Sequence, residues 1–287
     1  MAYLIIVSCI WALSFSLIKG TLASLDSNFI SFARMLLSFA IFLPFLRPSV
    51  AAFKTRMSLI IIGAIQFGFM YTAYIAAYRY LPAHMIALLT TTTPLFVAVI
   101  YDLSAKKIHP ATFCAAMLAV AGGMVIKYPD QPLRASLYGV ILLQASNLAF
   151  ALGQVAYARL MARNPSLDDK HVFGLLYGGA VIVTGAFSLA TTDYSRLVVE
   201  PMQLLTMLYL GVIASGLCFF LWNKGAARVD SGVLAVMNNL KIPLAIIVSL
   251  LILREPADYA RLTGGFFLMA AGLYITERAR GRTSSSY

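Results

Sequence analysis

Ten apolar stretches constrain this chain more than any other feature of its sequence. Each is about twenty residues long, the length that a helix needs to cross roughly 30 Å of hydrocarbon. Lipid offers the backbone no hydrogen-bond partner, and the alternating pattern of a membrane barrel is not visible. The sequence therefore predicts an all-α polytopic membrane protein with ten transmembrane helices. The predicted spans are residues 2–21, 28–46, 58–79, 83–102, 110–127, 135–157, 172–190, 202–223, 231–253 and 259–277.

The composition and the charge distribution agree with a membrane protein. Apolar residues make up 61% of the chain and charged residues 11%, whereas about a quarter of a soluble domain is charged. The formal net charge of +11 could suggest a nucleic-acid partner. With the N-terminus inside, however, 13 of the 22 Lys and Arg residues fall in cytoplasmic segments and 7 in outer segments. This bias predicts cytoplasmic N- and C-termini in a bacterial inner membrane, with the lipid bilayer and no nucleic acid as a partner.

An internal repeat divides the chain into two halves. Residues 78–94 align without a gap on residues 227–243, and Pro94 falls on Pro243, a shift of 149. Because each half holds five spans, an odd number, the second half enters the membrane inverted relative to the first. Membrane proteins built from two related halves are mostly transporters that bind their substrate between the halves. The predicted units are a five-helix repeat at 1–130, a second at 131–278 and a disordered cytoplasmic tail at 279–287.

Polar side chains within the spans are the candidates for function, because lipid excludes them unless they face a cavity or a partner. Lys241 lies in the middle of span nine, with Asn238 and Asn239 within one turn. Its ammonium could meet an anionic group of a substrate, with Asn238 on the same face. Alternatively, it could bind backbone carbonyls or a neighbouring helix.

The two aligned prolines predict hinges at matching positions of the two halves. A proline inside a helix leaves the carbonyl four residues earlier without a donor. For Pro94 and Pro243 those carbonyls belong to Thr90 and Asn239. Opened helices at equivalent positions are a feature of binding sites in repeat transporters, although a purely architectural bend is the alternative.

Further candidates lie on spans one, three, six and eight. Span six carries a polar stripe, Gln144, Asn147, Gln154 and Tyr157, whose spacing predicts one helix face along a water-accessible path. Tyr71 and Tyr74 of span three could form walls for an apolar or planar substrate, or merely pack. Asn223 corresponds to Tyr74 under the shift of 149, and Trp11 is a weaker candidate. Arg34 lies close enough to the outer face to snorkel or to pair with Asp26, which favours a structural role.

The positions of the cysteine, histidine and acidic residues argue against several other functions. The three cysteines and three histidines are dispersed over different spans or span ends, so we expect no disulfide, metal site or cofactor. We expect no enzyme either, since positioned acid–base groups are missing from the interior. No carboxylate lies deep in a span, which favours passive exchange or gradient-driven export over ion coupling. The small residues Ala115, Ala119 and Gly123 could pack two protomers together as a homo-oligomer.

Several motifs, in their order along the chain, resemble the bacterial ten-helix EamA type of the drug/metabolite transporter superfamily. They are Trp11 to Lys19 in span one, Arg34, Thr93-Pro94, Lys241-Ile242-Pro243, and Glu255 leading into Gly264 and Gly272. The resemblance covers the whole chain. It implies an inverted two-repeat carrier that works by alternating access, with a cavity lined mostly by helices one, three, four, six, eight and nine. It also implies small metabolites or drugs as substrates, often moved outward. Lys106 occupies the place of an acidic residue often seen after the fourth helix, so a symmetric salt-bridge role for Glu255 is not expected.

The sequence thus predicts an inner-membrane transporter, an exporter of a small organic metabolite such as an amino acid or another carboxylate. A channel or a small-molecule sensor on the same fold is the alternative, and an intramembrane enzyme is disfavoured. The predicted hinges are Pro94 and Pro243. The predicted substrate-binding residues are Trp11, Tyr71, Tyr74, Thr90, Gln144, Asn147, Gln154, Asn223, Asn238, Asn239 and Lys241.

Overall fold

A computed structural model describes residues 1–22, 24–77, 79–81, 83–106, 108–127, 136–248 and 258–284. Within these ranges the regular structure is helical and no strand is present. Glu255 and the segments 128–135 and 249–257 lie outside the described residues.

Thirteen α-helices form the described part of the bundle. They are α1 (Ala2–Thr21), α2 (Ser27–Phe42), α3 (Phe53–Gly63), α4 (Met70–Ala77), α5 (Ala83–Thr90), α6 (Thr93–Ala105), α7 (Pro110–Lys127), α8 (Leu137–Arg163), α9 (Asp169–Thr191), α10 (Pro201–Leu208), α11 (Cys218–Ala226), α12 (Ser231–Val248) and α13 (Tyr259–Ser284). Short 3₁₀ turns, Leu43–Phe45 and Pro48–Val50, follow α2. The π-helical segments Ala64–Phe69 and Tyr209–Leu217 join α3 to α4 and α10 to α11.

Six helical segments of the described ranges are long and apolar enough to cross a membrane. They are Ser27–Phe45, Phe53–Ala77, Leu88–Ala105, Leu137–Arg163, Asp169–Thr191 and Pro201–Ala226. Two shorter apolar helices, Ala2–Trp11 and Pro110–Ile126, accompany them. Each of the ten stretches predicted from the sequence overlaps a helix, while the number of ten spans stays a prediction.

The C-terminal helix is longer than the sequence indicated. The polar composition after residue 278 predicted a disordered tail, but α13 continues to Ser284. Arginine and alanine are good helix formers, so the segment 278–282 can extend a helix that has already nucleated.

The helices of the two halves pack against each other directly. Helix α9 lies against α2, α3 and the π-helical segment Ala64–Phe69, while α2 also contacts the π-helical segment Tyr209–Leu217. The backbones of α3 and α9 touch at two glycines. A Cβ atom on Gly63 would lie 1.9 Å from the carbonyl oxygen of Leu176, and one on Gly179 would lie 2.0 Å from that of Ile60. Any side chain at these positions would push the two helices apart.

Span four is broken in two at the threonine run before Pro94. Helix α5 ends at Thr90 and α6 begins at Thr93, so Pro94 lies in the first turn of α6. Proline is well tolerated there because its missing N–H would have no intrahelical partner. The expectation of a proline inside a continuous helix is therefore wrong for Pro94. For Pro243 it agrees with the structure, since that residue lies inside α12.

Candidate functional site

A cavity of about 140 Å³ lies between helices of both halves. Its walls combine two cations, several aromatic rings and a few small polar groups. The lining residues are Trp11, Arg34, Met70, Tyr71, Tyr74, Thr90, Thr93, Ser146, Asn147, Phe150, Ala214, Phe219 and Lys241. Six of the predicted binding residues are among them: Trp11, Tyr71, Tyr74, Thr90, Asn147 and Lys241.

The broken helix supplies one wall of this cavity. The hydroxyls of the four threonines at 90–93 each donate to a carbonyl three or four residues earlier. Threonine side chains are suited to this local bonding. The carbonyls of Leu88 and Leu89 also accept from the backbone N–H groups of Thr91 and Thr92, so these hydroxyls add a second hydrogen bond at the break. The carbonyl of Thr90, predicted to be free, accepts from the Thr93 hydroxyl at 2.8 Å. Thr90 and Thr93 thus reach the cavity on a break that their own side chains stabilise.

Arg34 is the residue at this site that the sequence interpretation misplaced. Instead of snorkelling outward, its side chain is buried and its Nε and Nη2 donate to the hydroxyl of Ser215 at 3.1 and 2.9 Å. The guanidinium also lies 4.8 Å from the centre of the Tyr71 ring. Position in the sequence favoured the outer surface, whereas a serine of the π-helical segment, far away in sequence, draws the side chain inward.

Asp26, the expected partner of Arg34, serves another purpose. Its carboxylate caps α2 by accepting from the backbone N–H groups of Asn28 and Phe29, and it accepts from the Thr192 hydroxyl at 2.6 Å. Burial alone would raise the pKa of Asp26, but these hydrogen bonds outweigh burial and lower it. The aspartate therefore fixes the start of α2 rather than neutralising Arg34.

Lys241 is the second cation of the cavity. Its ammonium lies 5.6 Å from the centre of the Trp11 ring, a cation–π contact. Trp11 is itself held by a 2.8 Å hydrogen bond from its indole nitrogen to the carbonyl of Ala214. No aspartate or glutamate is among the described residues that line the cavity. Two positive charges at this depth, without a carboxylate beside them, make the cavity a place that favours an anion.

Asn147 brings a free hydrogen-bond acceptor to the cavity. Its amide nitrogen donates to the carbonyl of Leu89 at 3.1 Å and lies within 3.4 Å of the Thr92 hydroxyl. Its side-chain oxygen accepts no hydrogen bond from any residue that the structure describes. The side-chain oxygen of Gln144, one turn earlier, lies 2.8 Å from the Thr92 hydroxyl oxygen, and Gln144 supports the cavity wall without lining it.

Aromatic rings close the apolar side of the cavity. Trp11 packs against Phe219 with ring centres 5.4 Å apart and against Phe150 at 6.4 Å. Phe219 in turn stacks on Phe67 at 4.5 Å. Phe150 and Phe219 were not predicted as cavity residues, because a single phenylalanine does not differ from its neighbours in a chain that is apolar throughout.

The four other predicted binding amides lie in buried contacts instead of on the cavity wall. Gln66 and Asn223 pair through both amide groups, at 2.9 and 3.3 Å. Gln154 accepts from the indole of Trp222 at 3.0 Å and exchanges longer contacts with Asn238 at 3.4 Å. We call these five residues the buried amide cluster. Because amides in lipid can satisfy each other, a polar stripe need not line a water path.

Asn239 likewise joins helices. Its amide nitrogen donates to the carbonyls of Thr91 and Ala119, both at 2.9 Å. It therefore ties α12 to the break in span four and to α7. The stripe predicted on span six is divided in the same way: Asn147 reaches the cavity, Gln154 belongs to the buried amide cluster, and the Tyr157 hydroxyl donates to Asp169.

Comparison with known proteins places these features in one family. Residues 1–128 and 137–277 match the EamA-like transporter family. A biotin transporter of Salmonella typhimurium is 36% identical over 277 residues, which cover 96% of this chain and 92% of that protein. A probable biotin transporter of Pseudomonas aeruginosa is 36% identical, with 98% of both chains covered. Protein PecM of Dickeya dadantii is 26% identical, over 76% of this chain and 73% of PecM.

A solved crystal structure shares the fold. It superimposes with a TM-score of 0.77 at 14% sequence identity and covers 98% of this chain and 96% of that one. The helical spans, the polar cavity and these relatives define a multi-pass membrane transporter, not an enzyme. The chain belongs to the EamA-like transporter family. This confirms the resemblance to the drug/metabolite transporter superfamily that the sequence motifs indicated.

Proposed function

We propose that this protein carries biotin across a bacterial inner membrane and binds it in the cavity between Arg34 and Lys241. The single observation that carries the proposal is the pair of cations in a cavity without an acidic lining residue among those described. The relatives from Salmonella typhimurium and Pseudomonas aeruginosa, a biotin transporter and a probable biotin transporter, suggest the substrate. Biotin replaces the amino acid favoured by the sequence and remains within the wider class of carboxylates.

The chemistry of biotin matches three parts of the cavity. Its carboxylate would lie between the Arg34 guanidinium and the Lys241 ammonium, where charge-assisted hydrogen bonds are strong. Its apolar ring would pack against Trp11, Phe150 and Phe219, which border the cavity together. An N–H of its urea group would donate to the unoccupied side-chain oxygen of Asn147.

The transport cycle we propose is alternating access between two inverted repeats of five spans each. Both halves carry a π-helical segment, and the shift of 149 places Ala64–Phe69 of the first half on residues 213–218, which overlap Tyr209–Leu217. The two separate family matches support the same division. The pair of Gln66 and Asn223 joins one half to the other, so it would break and re-form as the halves rock.

We propose that both termini lie on the cytoplasmic side, because of the distribution of basic residues. The direction of biotin transport is a separate question that experiment decides. The sequence favoured export, but a carrier without a coupling ion moves its substrate down the prevailing gradient in either direction. Uptake and efflux therefore belong in the same experiment.

Counterflow in proteoliposomes tests this function. Vesicles of purified protein are loaded with unlabelled biotin and diluted into labelled biotin, and the transient accumulation of label is followed. A carrier accumulates label transiently, whereas the alternative, a channel, only equilibrates it. The control variant is Lys170→Met, which removes an exposed cation that does not line the cavity. Absence of counterflow with biotin, in vesicles that show it with another carboxylate, would contradict biotin as the substrate.

A further inference from the structure

A second concave site lies between the start of α3 and the ends of α6 and α8. It has a volume of about 620 Å³ and a different character from the cavity. One end is basic, with Lys54 on α3 and Arg159 and Arg163 on α8. Apolar side chains line another part of this site and include Ile62, Ile100 and Leu152. We call it the basic groove.

Arg159 occupies a fixed position in the basic groove. Its Nη1 and Nη2 donate to the carbonyls of Ser104 and Tyr101 at 2.6 and 3.1 Å, and its guanidinium lies 5.1 Å from the Tyr101 ring centre. Its Nε is buried and has no hydrogen-bond partner within the described ranges. The two carbonyl bonds hold the guanidinium in place, and its remaining N–H groups, other than the buried Nε, are the donors that an anion in the groove would meet.

No carboxylate stands beside the cations of the basic groove among its described lining residues. Its described lining residues include three cations and no aspartate or glutamate. The ends of α3, α6 and α8 at which these cations lie carry the excess of Lys and Arg that the sequence assigns to the cytoplasm. An anion with several oxygens satisfies this end of the groove better than a neutral ligand does.

The apolar walls decide between a lipid and a small soluble anion. From Arg163 to Leu152 the helix rises about 16 Å, close to the hydrocarbon thickness of one leaflet. Leu152 lines the groove and is still 39% exposed, so the groove is open at the surface of the bundle at that position. A soluble phosphate would use only the basic end and leave these walls empty.

We propose that the basic groove binds an anionic phospholipid, with the headgroup phosphate at Lys54, Arg159 and Arg163 and an acyl chain along Ile62, Ile100 and Leu152. Basic pockets between transmembrane helices on the cytoplasmic side suit such headgroups. The lipid bridges α3 and α6 of the first half to α8 of the second. It therefore holds together the ends of α3, α6 and α8, of which α6 and α8 also line the cavity. The proposal does not depend on the identity of the transported substrate.

Lipid titration followed by native mass spectrometry tests this site. The purified full-length protein in detergent is titrated with phosphatidylglycerol and, separately, with phosphatidylcholine of the same acyl chains. We expect phosphatidylglycerol to bind about tenfold more tightly, and the double variant Lys54→Gln/Arg163→Gln to lose most of that preference. Arg159 is left intact because it also joins α8 to α6.

A matched pair of cations outside the groove provides the control. Lys170→Gln/Lys224→Gln removes the same charge, and we expect it to change the preference less than about twofold. Equal binding of the two lipids, or an equal loss in the control variant, would overturn the proposal. Glycerol phosphate is added as a competitor. Displacement of the lipid at comparable concentrations would show that the groove takes a free phosphate, which also overturns the lipid assignment.

Discussion

The cavity and the buried amide cluster use the same kinds of polar residue for opposite purposes. In the cluster, Gln66 and Asn223 use both amide groups on each other. In the cavity, Asn147 keeps its side-chain oxygen unoccupied and Lys241 faces an aromatic ring instead of a carboxylate. The type of a polar residue in a span therefore does not decide between architecture and binding. What decides is whether the side chain reaches the cavity: the Asn239 oxygen also has no hydrogen-bond partner among the described residues, but Asn239 is buried and does not line the cavity.

The largest effect expected from this comparison is the loss of transport in Lys241→Met. Methionine keeps most of the length of the side chain and removes the charge that would bind the carboxylate. A hydrogen bond to a charged group contributes about 1.5–3 kcal/mol, so biotin counterflow should fall by about tenfold to a hundredfold. Thermal stability in detergent should stay level or rise, because the variant no longer buries an unpaired ammonium. Loss of stability with unchanged transport of the folded fraction would make Lys241 structural.

The opposite pattern is expected for Asn239→Leu. This change removes two buried hydrogen bonds that tie α12 to the break in span four and to α7. Interhelical polar contacts of this kind contribute about 1–2 kcal/mol, so the variant should unfold at a lower temperature. Asn147→Leu is the matched change at the cavity. We expect Asn147→Leu to weaken biotin binding more than Asn239→Leu does. Equal weakening by both variants would contradict the distinction between residues that line the cavity and residues that join helices.

A double-mutant cycle measures the coupling between Gln66 and Asn223. The variants are Gln66→Leu, Asn223→Leu and the double change, each assayed by denaturation of the purified protein. Because the two amides bond each other, the coupling should be about 0.6 kcal/mol and no more than about 1.7 kcal/mol. Additive effects of the two single changes would show that the pair contributes no interaction of its own.

The smallest effect is expected at Asp26, where hydrogen bonds lower the pKa in the folded protein. A lowered pKa means that the carboxylate contributes stability above the unfolded pKa of about 3.8–3.9 and loses it as the pH falls through the folded value. The melting temperature of wild type should therefore exceed that of Asp26→Asn at neutral pH and approach it below about pH 4. Thr192→Val removes one of the stabilising bonds and should make this pH dependence shallower.

Much of the fold could be predicted from the sequence, because the length of the apolar stretches and the exclusion of unsatisfied backbone from lipid leave few choices. The sequence also showed that Lys241 lies in the middle of a span, and it indicated Tyr71 and Tyr74 as walls of a binding site. All three residues line the cavity. The partner of Arg34 was not. Ser215 lies 181 positions away on a π-helical segment, and no local pattern shows where that segment points.

The amides show the second limit of sequence reasoning. Helical spacing places Asn147 and Gln154 on one face of α8, but it does not say what stands opposite each of them. Trp222 and Asn238 satisfy Gln154, whereas the cavity leaves one atom of Asn147 free. Only the packing of distant helices separates a binding residue from one that joins helices.

Calorimetric binding of biotin and biotin methyl ester to the purified protein tests the central claim most directly. The ester keeps the rings and the urea group, removes the negative charge and adds one methyl group. If the cavity binds the carboxylate between Arg34 and Lys241, the ester should bind at least about tenfold more weakly than biotin. In Lys241→Met that difference should shrink, while Lys170→Met should keep it. Equal affinity for the ester and the acid in the wild-type protein would contradict the account.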